Sequence, residues 1–187
     1  MVLLGIGLVF FFQAMLALIQ YQSSAEALQQ IVFWSMGSLT RANWAANGVL
    51  AAVLIIALPI LWALGWRLTA LRLGDARATA MGINTSRLRV VVLIVVSLVA
   101  ATTVAFAGII GFIGLVGPHI ARMLVGEDQR YFLPASMAAG AAVMCAAHAV
   151  SLMIKPGLAI PIGIVTSLLG VPFFIAIVMT RRRALWT

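Results

Sequence analysis

Charge is what this chain of 187 residues has least of. Charged side chains make up 9% of it, four of them acidic, against 64% hydrophobic residues and a mean hydropathy of +1.17. A soluble domain carries about a quarter charged residues to keep its surface wet. Sixteen Lys, Arg, Asp and Glu side chains, 12 + 4, cannot solvate a 19.9 kDa globule. The apolar surface must face lipid. That excludes a soluble enzyme, a secreted disulfide scaffold and a free nucleic-acid binder.

Other scarcities exclude more. One cysteine, Cys145, lies in an apolar run, so no disulfide framework and no metal-binding cysteine spacing exists; it reads as a small core residue. The one lysine is Lys155, and no GxxxxGK[ST] occurs to cradle nucleotide phosphates. No Asp or Glu lies within an apolar run, which argues against an intramembrane proton relay. The two histidines, His119 and His148, lack cysteine or carboxylate companions for haem or metal; the simpler expectation is that each hydrogen-bonds to a neighbouring helix. His148 could titrate, which leaves a proton-coupled or passive carrier as a rival function. No nucleophile or acid–base constellation is present. Neither an enzyme nor a bound cofactor or metal is expected.

What is present is a series of charge-free runs: residues 1–25, 42–66, 90–118, 131–154 and 156–180. A helix needs about 20 apolar residues to cross a bilayer core, and helices satisfy their own backbone there. The fold class is therefore all-α, a polytopic membrane helix bundle. The run 90–118 is long for one helix and carries Gly108, Gly111, Gly114 and Gly117 at intervals of three, then Pro118. It splits into a helix to about Ala107, a reversal, and a short span over about 110–124. The glycines read as close-approach positions between helices. Six spans result, five long and one short.

The net charge of +8 would suggest nucleic acid in a soluble protein, but in a membrane protein Lys and Arg collect in cytoplasmic loops. With both termini of the chain cytoplasmic, Arg67, Arg72, Arg77, Arg87, Arg89, Arg122, Arg130, Arg181, Arg182 and Arg183 lie inside, and only Arg41 and Lys155 outside. Ten against two sets the orientation. The chain starts hydrophobic, with neither the basic n-region nor the cleavage site of a signal peptide.

Two loops have character. The outer one, 21–43, carries Ala27, Leu28, Ile31, Val32 and Trp34 in a pattern that predicts a short interfacial helix ending at Gly37, either a plain capped turn or a docking surface. In the inner one, 67–89, Gly74 breaks a first short helix, Asp75 is placed to cap a second over 76–81, and Gly82 suits the C′ position. Thr85 or Ser86 is placed to cap the next span. This loop is either a docking knob or a solvated basic loop.

The segment GFIGLVGPHIARMLVGEDQRYFLPAS, 111–136, resembles the signature of the iron-siderophore, haem and cobalamin permeases of ABC importers, the FecCD-like family. AIPIGIVTSLLGVPFFIAIVMTRRR, 159–183, WSMGSLTRANW, 34–44, and LGDARATAMGI, 73–83, are similar to further family motifs in the right order. The likeness carries Gly111, Gly114, Pro118, His119, Arg122, Arg130, Pro134, Pro161, Gly163, Gly170 and Pro172 as signature positions. It implies one transmembrane permease domain, 1–187, in a type II importer of two permease subunits, two cytoplasmic ATPases and an extracytoplasmic binding protein, in the inner membrane. Loop 67–89 would be the coupling loop, with Gly74, Asp75, Ala76, Arg77, Ala78 and Gly82 against the ATPase. The first and last helices would face the pathway, and Arg41 would meet the binding protein. The cargo implied is a ferric siderophore or related chelate.

Departures from the family pattern are His148, Leu152 and Ala159, where an Asp, an Arg and a Glu are common, and Gln129 in place of the His of Asp-His-Arg. A paired loss of the Asp and the Arg is self-consistent, because either alone is an unpaired charge in the membrane. Residues 1–19 match the family's fifth helix of ten. The resemblance therefore implies the C-terminal part of a permease, a fragment or one piece of a split one.

Overall fold

The computed structural model describes residues 2–154 and 160–183. Among these residues the regular structure is helical throughout: α1 (Val2–Gln22), α2 (Ala25–Ser35), α3 (Trp44–Ala63), α4 (Gly65–Leu71), α5 (Asp75–Ala80), α6 (Thr85–Ala107), α7 (Ile113–Val125), α8 (Gln129–Ile154) and α9 (Ile162–Arg183). The all-α expectation holds. Four helices, α1, α3, α6 and α8, are long and apolar enough to cross a membrane, while α7 and the stretch Ile162–Ile175 of α9 are shorter apolar helices. The expected start of the last span, at 156, and the departure at Ala159 lie outside the described residues.

The chain runs up and down between two ends. One end carries α2, the turn 36–43 and the starts of α7 and α9; the other carries α4, α5 and the α7–α8 turn. The long run divides where expected. α6 stops at Ala107, Gly108 takes φ +76°, and α7 begins at Ile113. At about 1.5 Å per residue, the 13 residues of α7 span only about 20 Å. The link 108–112 between the two helices has no regular structure.

Packing is concentrated, not uniform. α7 and α8 form the closest helix pair, and a Cβ added at Gly117 would lie 3.1 Å from Gly140 Cα and from the Ser136 carbonyl oxygen. α3 pairs antiparallel with α6, and α9 docks on α8 and α7. By contrast, Leu3 to Ile19 of α1 are all exposed, and among the described residues α1 has no substantial helical neighbour. Among the described residues two small cores form, one at each end. Ala147, Ile162 and Val165 form the first, with Ile110 and Leu39 against it; Ala70, Ala78, Ile83 and Leu88 form the second.

Several local expectations need correcting. Only Gly117 of the four spaced glycines mediates helix–helix approach: Gly108 and Gly111 lie in the reversal, and Gly114 faces open space. Cys145 is exposed on α8, not a core residue. The cap of α6 is Asn84, whose Oδ1 accepts from Arg87 N at 2.9 Å; Thr85 is the first helical residue. A side-chain amide one residue earlier took the role because its oxygen reaches the third helical N–H.

Candidate functional site

The α4–α5 loop is a folded unit. Gly74 separates its two helices with φ +97°, ψ 154°, a conformation closed in practice to residues with a Cβ. Asp75, expected as the cap, is the first helical residue instead, and Gly74 occupies the N-cap without a side-chain bond. The carboxylate of Asp75 is thereby free to take Arg89 of α6, Nη2 to Oδ1 2.6 Å. The end of α5 follows the expectation. Gly82 holds φ +79° at C′, its N–H reaches the Thr79 carbonyl at 2.9 Å, and Ile83 N–H reaches the Ala78 carbonyl at 3.1 Å. This is the paired bonding of a Schellman turn, closed by apolar contact between Ile83 and Ala78.

Ala78, expected against the ATPase, takes part in that contact. Its side chain is fully buried among Ala70, Ile83 and Leu88, because α5 must bury one face to stay on α4 and α6. Gly74, Asp75, Ala76, Arg77 and Gly82 are all exposed, so the remaining five predicted residues share the loop's accessible tip.

The loop is tied to the rest of the bundle on a second side. Glu127, in the α7–α8 turn, forms an ion pair with Arg72, and Arg122 lies 3.4 Å from its other oxygen. Arg72 Nη1 also donates to the Glu127 carbonyl at 3.2 Å, and Gln129 N–H donates to Thr69 Oγ1 of α4 at 3.2 Å. All three side chains of the ion-pair cluster are about half exposed, so it adds little to stability, on the order of 1 kcal/mol or less. Its consequence is geometric: the loop is linked to the α7–α8 turn through Glu127, as it is to α6 through Asp75. Glu127 was not singled out from the sequence. Its signal was rarity, as one of four acids facing several nearby arginines.

The opposite end is joined through backbone. Ser38 N–H donates to the Ala107 carbonyl at 2.8 Å, Ile162 N–H to Gly37 at 3.2 Å and Gly163 N–H to Met36 at 3.0 Å. Turn 36–38 thus ties the end of α6 to the start of α9. Arg41 Nη2 donates to the Trp34 carbonyl at 3.3 Å, bracing the C-terminus of α2. Beside this junction an open apolar cavity of about 740 Å3 lies along α9, lined by Met36, Ile109, Ile164, Ser167 and Val171 among others.

The remaining signature positions scatter over both ends. Gly170 lies against the Phe112 ring, whose backbone holds a left-handed φ of 65°. Pro161 precedes α9, and Pro134 and Pro172 sit inside α8 and α9. Pro118 borders an apolar groove between α3, α6 and α8. Arg122 also lies 5.8 Å over the Phe132 ring, while Arg130 N–H donates to Asp128 Oδ1 at 3.0 Å. Gly111 faces Ser167, and Gly114 touches nothing. His119 packs edge-on to Phe173 at 5.8 Å. Among the described residues neither histidine makes a side-chain hydrogen bond, contrary to the expectation, and no three His, Cys, Asp or Glu side chains come together.

Four helices long and apolar enough to cross a membrane, two shorter apolar helices and an exposed two-helix loop mark, among the described residues, a polytopic membrane protein. The chain belongs to the FecCD transport family, which matches residues 1–180 and is made up of transport permeases, not enzymes. It is 35% identical over 183 residues to the hemin transport system permease protein of Yersinia pestis, covering 97% of this chain and 54% of that one. It is 36% identical over 184 residues to the molybdate import system permease protein of Haemophilus influenzae, covering 98% and 54%. A solved ABC transporter assigned to the metal-chelate type, in an inward-facing conformation, superposes with a TM-score of 0.89 at 37% identity, over 95% of this chain and 59% of that one. The chain spans about half the length of the curated relatives it matches.

Proposed function

We propose that this chain is permease machinery of an ABC importer that brings a ferric siderophore or related metal chelate, such as haem or cobalamin, into the cytoplasm. It does no covalent chemistry. A separate ATPase drives it by gripping the exposed tip of the α4–α5 loop, residues 67–89, which lies on the cytoplasmic side. Residues 21–43 form the extracytoplasmic loop, where a binding protein docks, and a second permease subunit completes the pathway beside α1 and α9. Arg41 serves docking indirectly, by holding the end of α2.

The observation that carries this reading is the α4–α5 loop itself. It presents Asp75, Ala76 and Arg77 at an accessible tip and is fastened at once to α6 and to the α7–α8 turn. A pull or push at the tip therefore reaches two sets of membrane helices. Family membership, and the likeness to the metal-chelate type transporter, support the cargo class. Ten of twelve basic residues on the loop's side support the orientation.

The test is a cysteine cross-link from Ala76, chosen because Ala78 is buried. Ala76→Cys in an assembled complex is expected to form an adduct with a cysteine on the ATPase, and Asp75→Lys is expected to abolish both adduct and transport. An assembled complex without the adduct would overturn the assignment. His148→Ala is expected to leave ATP-driven uptake intact; its loss in an intact complex would favour a proton-coupled carrier.

A further inference from the structure

At the α4–α5 end every acid is already engaged. Asp75 holds Arg89, Glu127 holds Arg72 and Arg122, and Asp128 accepts from the Arg130 backbone. Two arginines border one cleft and share none of these partners. Arg67 of α4 and Arg87 of α6 flank a space of about 500 Å3 between α4 and the α5–α6 turn. Among the described residues, neither guanidinium has an ion pair or a hydrogen bond. No acidic side chain lines this cleft. Two cations facing a cleft without a counter-charge call for an anion from outside.

The depth of the cleft indicates which anion. Arg67 follows the last residue of α3, Ala63, by four positions, and Arg87 precedes the charge-free run from Val90 by three. Both therefore lie within about one helical turn, in sequence, of an apolar span, where lipid headgroups are expected. Trp66, 42% exposed, stands beside them in the position favoured by interfacial tryptophans. The wall is apolar where it meets the spans, with Leu64, Leu88 and Val91. Of the residues assigned to the ATPase only Gly82 borders this cleft; Asp75, Ala76 and Arg77 at the start of α5 do not line it.

We propose that the cleft between α4 and the α5–α6 turn binds the phosphate headgroup of an anionic phospholipid, held by Arg67 and Arg87, with an acyl chain against Leu64 and Val91. The proposal rests on α3 and α6 spanning the bilayer, and not on the ATPase or the cargo.

The test is native mass spectrometry of the full chain in detergent, titrated with phosphatidylglycerol or with phosphatidylcholine of the same acyl chains. Phosphatidylglycerol is expected to bind the tighter. Replacing both arginines, R67Q/R87Q, is expected to weaken phosphatidylglycerol binding about thirtyfold while leaving phosphatidylcholine unchanged. Arg77→Gln removes an equal kind of charge from the same loop outside the cleft, and is expected to change lipid binding by less than about twofold. For the unaltered chain, raising salt to about 0.5 M is expected to erase the preference, an outcome that needs no variant to fold. Equal binding of the two lipids overturns the proposal, as does a preference that survives salt. So does Arg77→Gln acting as strongly as R67Q/R87Q, which would mean a diffuse field. R67Q/R87Q that keeps its phosphatidylglycerol but fails to co-purify with the ATPase would reassign the cleft to the ATPase. That result would leave the proposed function standing, whereas a missing Ala76 adduct with lipid binding intact would do the reverse.

Discussion

Glycine with positive φ occurs at both ends of this bundle for different reasons. At the α2 end, a Cβ on Gly108 would fall on the Trp34 carbonyl oxygen and 2.8 Å from Gly37 Cα; one on Gly37 would lie 2.9 Å from the Ile109 carbonyl oxygen. Gly163, whose φ is ordinary, is hemmed in by the carbonyls of Met36 and Ile109. At the α4–α5 end, Gly74, Gly82 and Gly126 have nothing within 4 Å of the same position. The first group is glycine because backbone meets backbone; the second because each must turn the chain. One end is a main-chain joint with no room to shift. The other is a packed loop fastened by half-exposed ion pairs, which can slide and re-form.

The largest effect is expected where crowding and conformation coincide. Gly108→Ala meets both a disfavoured φ and the Trp34 carbonyl, and should cost about 3 kcal/mol or more, read as a fall in the melting temperature of the detergent-solubilised protein. A loss no greater than that of Gly82→Ala would erase the distinction between the ends. Next comes Gly163→Ala, where crowding acts alone, expected at about 1–3 kcal/mol. Its counterpart Gly114→Ala, in open space within α7, should be neutral or stabilising by about 0.5 kcal/mol. Opposite signs from one substitution type would sharpen the comparison; equal signs would break it. Gly82→Ala, where conformation acts alone, is expected to cost about 1–2 kcal/mol by the same melting assay. The smallest change is Glu127→Gln, under about 1 kcal/mol and fading as salt rises. A salt-independent loss of several kcal/mol would show the turn to be as rigid as the other end.

The difference between the ends also explains what could be read in advance. Charge-free runs mark the helices because lipid tolerates little else, and Gly82 announced its turn because a Schellman cap is a local bond pattern within six residues. The split near Ala107 was legible from Gly108 for the same reason. Facts that need a second segment were not. Ala78 looked like any exposed alanine of a short helix, and only its packing on Ala70 and Leu88 buries it. Gly163 read as a family position, but its reason lies in the carbonyl of Met36. Cys145 looked internal because its neighbours are apolar, a rule that fails where lipid is the surroundings. The α4–α5 loop was visible as glycines, alanines and arginines in order, whereas its fastening to Glu127 required knowing that α7 turns beside α4.

The bonds from Ile162 and Gly163 to turn 36–37 join residues more than a hundred positions apart. A ribosome feeding this chain into a membrane releases turn 36–38 early, with its carbonyls waiting. The α3–α6 pair can assemble next, since both helices are already out. The start of α9 arrives only after six further helices, α3 to α8, have been made. The α2 end is thus the last joint to close during biogenesis, although it is the tightest once closed. Until then Met36 and Gly37 carry open acceptors, so slowing translation before residue 160 should prolong a protease-sensitive intermediate cut near turn 36–43.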